Sequence, residues 1–250
     1  LVGPAQSSIL RRPKMKITCH MIMSADGRLL SKYWSPLYND ACGVGDVYEA
    51  TAAKMPADGW IVGRNTMAEY GEDLIEEREP MEGPKTMHTM TFVGKREGRP
   101  LAVVFDVQGR LHYKSPTLPS GEHIVAILGS HVTRAYQKEL EDVGVSYIMR
   151  TPGTKKEETE SALKHLESDF NAKHLLLEGG ALTCGTFIGM GLVDELSLII
   201  YPGLDGNSAH PSVIECRTEE PSPLKNNRLE LIDCETVGSG FVWLRYKMHR

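Results

Sequence analysis

Uninterrupted apolar runs alternate along this chain with amphipathic stretches, and the alternation sets out the fold. Strand-like runs fall at Lys16–Ser24, Gly59–Val62, Leu101–Phe105, His123–Leu128, Val145–Met149, His174–Leu177, Glu195–Tyr201, Arg228–Thr236 and Phe241–Met248. Helical periodicity falls between them, at Val44–Met55, Val132–Val143 and Glu157–Asn171. Leu175 to Leu177 are apolar at every position, as a strand covered on both faces must be. Strand, helix and strand in repetition predict an α/β fold, a largely parallel sheet with helices on both faces. The last two runs are joined only by Val237-Gly238-Ser239-Gly240 and predict a C-terminal antiparallel hairpin.

No linker divides residues 15–250, which are expected to form a single domain, while residues 1–14 are expected to be a flexible leader. Two loop-rich stretches, Glu72–Arg99 and Asp205–Asn227 with its Pro211, Pro221 and Pro223, are expected as surface insertions. Met15, Met21 and Met23 share one face of the first strand and are expected as core filling. In the hairpin, Val242, Leu244, Tyr246 and Met248 lie on one face and Phe241 and Trp243 on the other. Apolar surface on both sides suggests burial against a second subunit, a homodimer.

Composition then removes whole classes of function. A net charge of -5 without a Lys/Arg stripe gives no reason to expect nucleic acid or an anionic membrane as partner. The five cysteines are odd in number and lack C-x-x-C spacing, which predicts free thiols and a cytoplasmic setting. The apolar runs are far short of the roughly 20 residues that span a bilayer. The nine histidines form neither H-E-x-x-H nor a His/Cys cluster, so no metal is expected. Gly43-Val44-Gly45 begins a dinucleotide fingerprint but lacks its third glycine and a preceding strand. Gly238-Ser239-Gly240 lacks the G-x-S-x-G frame and reads as turn chemistry.

Three constellations remain. In Leu177-Glu178-Gly179-Gly180-Ala181-Leu182 a buried strand breaks at two glycines and opens a helix, aiming backbone N–H groups and a positive dipole end at an anion. Val62-Gly63-Arg64-Asn65-Thr66 is a second such corner, with Thr66 and Glu69 spaced as a capping box and Arg64 suited to a phosphomonoester. Two anion-ready corners on one sheet suggest a ligand with two separated phosphate groups, the pattern of NADPH. In Ser24-Ala25-Asp26-Gly27 a carboxylate stands at a strand end, either as turn chemistry or as a substrate contact.

Ser24-Ala25-Asp26-Gly27-Arg28, Val62-Gly63-Arg64-Asn65-Thr66, Leu177-Glu178-Gly179-Gly180, Gly191-Leu192-Val193-Asp194-Glu195-Leu196 and Tyr201-Pro202 occur in that order. Together they resemble the riboflavin-biosynthesis reductase domain, the RibD C-terminal type, of the dihydrofolate-reductase-like superfamily. The resemblance spans about residues 15–248. It implies a three-layer α/β/α fold with a mixed sheet, NADPH as hydride donor, commonly a homodimer, and reduction of a ribosylamino-pyrimidine phosphate to its ribitylamino form. It places Gly179, Gly180, Ala181 and Leu182 at the pyrophosphate, Gly63, Arg64, Asn65 and Thr66 at the adenosine-ribose phosphate, and Asp26 and Glu178 toward the substrate as catalytic candidates. Gly185 and Gly189 in the following helix suggest close approach to sheet or cofactor.

The chain departs from that family where the substrate is held. An Asp-Asp-Pro-x-Leu-Thr run is expected after the corner threonine, but Thr66 is followed by Met67-Ala68-Glu69-Tyr70-Gly71-Glu72-Asp73. The glycine-rich run after Pro202 is altered too. A dihydrofolate or other pterin-like substrate therefore stays open, as do a nucleotide-binding paralogue without turnover and a flavin-dependent oxidoreductase.

Overall fold

A computed structural model of the chain describes residues 15–38, 42–84, 91–217, 222 and 224–249; the expected leader, Pro221 and Pro223 lie outside them. In chain order the elements are β1 (Lys16–Ser24), α1 (Val44–Ala52), β2 (Gly59–Gly63), α2 (Arg64–Tyr70), β3 (Ile75–Glu77), β4 (Thr91–Phe92), β5 (Leu101–Phe105) and β6 (Leu111–Tyr113). There follow β7 (His123–Leu128), α3 (Arg134–Val143), β8 (Ser146–Met149), α4 (Lys155–Phe170), β9 (His174–Leu177), α5 (Ala181–Met190), β10 (Glu195–Tyr201), β11 (Arg228–Val237) and β12 (Phe241–His249). The strand expectations hold to within a residue or so. Helix α4 begins two residues early because Thr154 and Glu157 form a capping box, the Glu157 N–H donating to Thr154 Oγ1 and the Thr154 N–H to Glu157 Oε2.

Ten strands make one sheet in the order β11-β12-β10-β1-β9-β2-β5-β7-β8-β4. From β10 through β8 every neighbouring pair is parallel. Strands β11, β12 and β4 run antiparallel at the two edges. This is the expected mixed, mostly parallel sheet with a C-terminal antiparallel hairpin.

Alternation along the strands builds two cores. Ile17, Cys19 and Met21 of β1, with Leu175 and Leu177 of β9, face Leu163 and Leu166 of α4 and Phe187 and Ile188 of α5. On the other face, Val62, Val104 and Leu128 meet Met67 of α2 and Tyr136 and Leu140 of α3, while Leu176, Ile199 and Trp243 meet Val47 of α1. Each such side chain contributes about 1.5–3 kcal/mol on burial, and the result is three layers. Met15 and Met21 lie inside the first core and Met23 packs against it, so these methionines do fill the core.

Three expectations are corrected. The Glu72–Arg99 stretch is not merely loop: β3 pairs with β6 in a separate two-stranded ladder, and β4 closes the sheet edge on β8. Strands of two or three residues are too short to show a period. The Asp205–Asn227 stretch is more than a surface insertion, because Val213 reaches the core and its N–H donates to the Gly27 carbonyl. Lastly, β12 needs no second subunit to cover its two apolar faces. Phe241 and Trp243 are buried under α1, and Tyr246 and Met248 pack on the α4/α5 side. The exposed apolar residues of the hairpin are instead Leu229, Leu231 and Ile232 on the edge strand β11, at a register shift between Leu231 and Asp233.

Candidate active site

Strand β9 comes late in the chain yet lies between β1 and β2. The parallel strands therefore open their carboxyl ends along one edge around a change in chain direction, the place where open α/β sheets bind ligands. At that edge β2 passes through Gly63 directly into α2, and β9 passes through Glu178-Gly179-Gly180 into α5. The two corners touch. The Gly63 N–H donates to the Gly179 carbonyl at 2.9 Å, and the Glu178 N–H to the Ile61 carbonyl at 2.9 Å. Gly179 has φ +120°, a conformation that favours glycine, and its peptide bond to Gly180 is cis. A Cβ on Gly63 would stand 2.6 Å from Thr183 Oγ1, so the close approach of the corners requires glycine there.

Between the corners lies a cleft of about 320 Å³. Gly63, Arg64, Asn65 and Thr66 line it from one side and Gly180, Ala181 and Leu182 from the other. Gly179 stands behind this lining. Helix α5 presents its N-terminus to the cleft with Gly180 at the cap position, which has no side chain to satisfy the first N–H groups. Those donors and the dipole suit an anion.

Thr66 does not cap α2. The helix begins at Arg64 with Gly63 as its cap residue, because the strand runs straight into it, so the expected Thr66/Glu69 capping box does not form. The Thr66 hydroxyl is thereby left to the cleft. Arg64 is loosely tethered, with Nε 3.3 Å from Glu77 Oε1 and its terminal nitrogens donating at 3.4 Å to Gln108 Oε1 and Asn65 Oδ1. Such long contacts are weak, and a phosphate offers better acceptors.

The two candidate carboxylates sit at the ends of neighbouring strands in opposite environments. Asp26 is exposed and fully engaged: Ser24 Oγ donates to Oδ1 at 2.6 Å, and the N–H groups of Asp205 and Gly206 donate at 3.0 and 2.7 Å. These bonds hold its carboxyl well below the usual carboxylate range, Ser24 contributing most. They also pin the 203–210 loop to the end of β1, where Asp205 binds His210 Nδ1 at 2.8 Å and His210 stacks on Tyr33. Glu178 is half-buried, and desolvation, followed by the negative charges of Glu49 and Glu122, pushes it up to about 8. The Tyr48 hydroxyl bonds to it and acts in the opposite sense. The two carboxyls are thus driven in opposite directions, Asp26 toward the anion and Glu178 toward the acid form.

The chain matches the family model of the RibD C-terminal domain over residues 15–243. It belongs to that family. Solved structures share the RibD C-terminal fold at low identity. A pyrimidine reductase-like protein from Corynebacterium diphtheriae is similar with 20% identity and a TM-score of 0.63, covering 94% of this chain and 92% of its own. RibD of Acinetobacter baumannii has 19% identity and a TM-score of 0.63, covering 94% of this chain and 58% of its own. The riboflavin biosynthesis reductase Rib7 of Saccharomyces cerevisiae has 14% identity and a TM-score of 0.57, covering 94% and 90%. No curated protein matches the sequence.

Four residues of the cleft escape sequence reading: Leu29, Thr183, Pro211 and Glu215. Pro211 and Glu215 arrive on the strap between β10 and β11, whose Glu215 N–H donates to the Ala181 carbonyl at 3.1 Å while Pro211 accepts from the Leu29 N–H at 3.1 Å. Gly185 carried the one available signal. It makes its close approach to the Glu215 carbonyl, not to the sheet or a cofactor, whereas Gly189 is exposed.

Proposed function

We propose that this protein is an NADPH-dependent reductase that converts a ribosylamino-pyrimidine phosphate to its ribitylamino form, the reductive step of riboflavin biosynthesis. The observation that carries the reading is the union of two anion-ready glycine corners around one cleft, with a proton-bearing carboxyl beside them. The residues present fit a dinucleotide: two glycine corners in direct contact beside the cleft, the open N-terminus of α5 for a pyrophosphate, and Arg64 for a 2′-phosphate. When bound, the reduced nicotinamide supplies hydride to an electrophilic carbon.

The chain's own part is to position and to protonate. Gly180, Ala181 and Leu182 bind the central phosphates, and Gly63, Arg64, Asn65 and Thr66 the ribose-phosphate end. Glu178, uncharged at neutral pH, donates the proton that the neighbouring heteroatom needs as hydride arrives. Asp26, ionised and saturated with donors, holds the 203–210 loop that walls the substrate side. The homodimer belongs to the same proposal, with β11 as the contact through Leu229, Leu231 and Ile232.

Titration with NADPH and with NADH, followed by nicotinamide fluorescence, tests the cofactor. Saturable binding of NADPH is expected, and no binding of either dinucleotide would overturn the reading. Oxidation of NADPH on addition of the pyrimidine substrate but not of dihydrofolate tests the rest.

A further inference from the structure

The small β3–β6 ladder carries a carboxylate to Arg64. Glu77 stands opposite Leu111 in that ladder, and its Oε1 lies 3.3 Å from the Nε of Arg64 and 3.3 Å from the Nε of Arg110. One carboxylate oxygen thus sits between two guanidinium groups. Their situations differ. Arg110 has firm partners besides Glu77: its Nε donates to the Arg78 carbonyl at 3.2 Å and a terminal nitrogen to Glu79 Oε1 at 2.9 Å. Arg64 has only weak ones. Its Nε is buried and makes no hydrogen bond, so the approach of Glu77 is an ion pair without hydrogen-bond alignment. Its terminal nitrogens reach Gln108 Oε1 and Asn65 Oδ1 only at 3.4 Å.

Arg64 also stands at a junction. It lines the cleft at the α5 N-terminus and, with Asn65, Phe105, Asp106, Val107 and Gln108, a second cavity of about 310 Å³ at the end of β5. A guanidinium with unmet donors there takes a phosphate readily, yet the carboxylate 3.3 Å away holds the same cation and repels the same anion. When Arg64 turns to a phosphate, Glu77 is not left unpaired, because Arg110 lies beside it. The exchange therefore costs little, and Glu77 sets its balance. A half-exposed carboxylate binds its arginine weakly in water, so the effect is severalfold.

We propose that Glu77 is a specificity-determining residue: it competes with the 2′-phosphate for Arg64 and so restrains the preference of the cleft for NADPH over NADH. The proposal rests on the reading of Arg64 as the 2′-phosphate contact. NADH carries a hydroxyl where NADPH carries that phosphate, so it neither draws Arg64 away from Glu77 nor meets the repulsion at that position.

The test is titration of Glu77→Gln with NADPH and with NADH in the full chain, followed by nicotinamide fluorescence. Kd for NADPH is expected to fall about threefold to fivefold, while Kd for NADH stays within about twofold. Glu77→Ala, with the same expected change, keeps the test open should Glu77→Gln fold poorly. Glu76→Gln removes the same charge one residue away, on a side chain paired with Arg78 at 2.6 Å, and is expected to leave the ratio of the two constants unchanged. In an Arg64→Ala background the gain from Glu77→Gln is expected to fall to less than half. An unchanged ratio in the Glu77 variants would overturn the proposal, as would an equal gain in Glu76→Gln or a full gain that persists without Arg64. If neither dinucleotide binds the parent, or if Arg64→Ala weakens both equally, the reading of Arg64 fails and the proposal falls with it. If Arg64→Ala is selective for NADPH and the Glu77 variants are not, that reading stands and the proposal alone falls.

Discussion

The Gly63 N–H donates to the Gly179 carbonyl at 2.9 Å, joining two corners that lie far apart in the sequence. The bond forces the backbones together, and the space left over is the cleft. Gly63→Ala sets a methyl against Thr183 Oγ1 and should cost about 1–3 kcal/mol as the threonine gives way. Gly179→Ala meets open contacts but a forbidden φ and should cost a similar amount, about 1–3 kcal/mol. Urea denaturation measures both, and dinucleotide titration should show weaker binding in Gly63→Ala than its stability loss alone explains.

Arg64→Ala should weaken NADPH by about tenfold or more, since a charge-assisted bond to phosphate is worth about 1.5–3 kcal/mol. NADH binding should change little. Equal losses for the two dinucleotides would show that Arg64 does not read the 2′-phosphate.

Glu178 gives the protein a pH dependence with a definite sign. Its folded value of about 8 lies above its ordinary 4.5, so between those limits the folded chain binds more protons than the unfolded one. Stability conferred by the protonated group is complete below about pH 4.5 and is lost as pH rises toward and through 8. Glu178→Gln should therefore gain stability over the parent on going from pH 5 to pH 8, by about a few kcal/mol at most at ~1.4 kcal/mol per unit. Urea midpoints at the two pH values measure it, and a parent-to-variant difference that does not change with pH would contradict the raised Glu178 acid.

Helix α5 holds two glycines with opposite fates. A Cβ on Gly185 would overlap the Glu215 carbonyl and push the strap off the helix, whereas Gly189 is exposed. Gly185→Ala should lower the melting temperature and weaken dinucleotide binding through displacement of Glu215. Gly189→Ala should raise stability by up to about 1 kcal/mol through helix propensity alone.

The exposed Leu229 and Leu231 lie opposite Met248 and Tyr246 on the edge hairpin, with Ile232 at the bulge. Light scattering at micromolar concentration should give the mass of a dimer for the parent and of a monomer for Leu231→Glu. A monomeric parent would remove β11 as an interface.

Residue pattern alone yields the long strands, the helices α1, α3 and α4, and the places where the chain turns at glycine. Short, β-branched apolar runs such as Leu101–Phe105 read as strands covered on both faces because they are too short for helices, and local glycine chemistry marked Gly63 and Gly179-Gly180 as corners. Other features depended on distance in space. Whether Thr66 caps or lines the cleft turned on the strand running without pause into α2, which residue spacing does not encode. The opposite protonation of Asp26 and Glu178 arose from donors and neighbours on other elements: Ser24, Asp205 and Gly206 around one, Tyr48, Glu49 and Glu122 around the other. Pro211 and Glu215 entered the cleft only because the strap folds back over α5. Local patterning is read from short-range sterics and burial, while a proton's affinity and a cleft's walls are sums over residues that only the folded chain brings together.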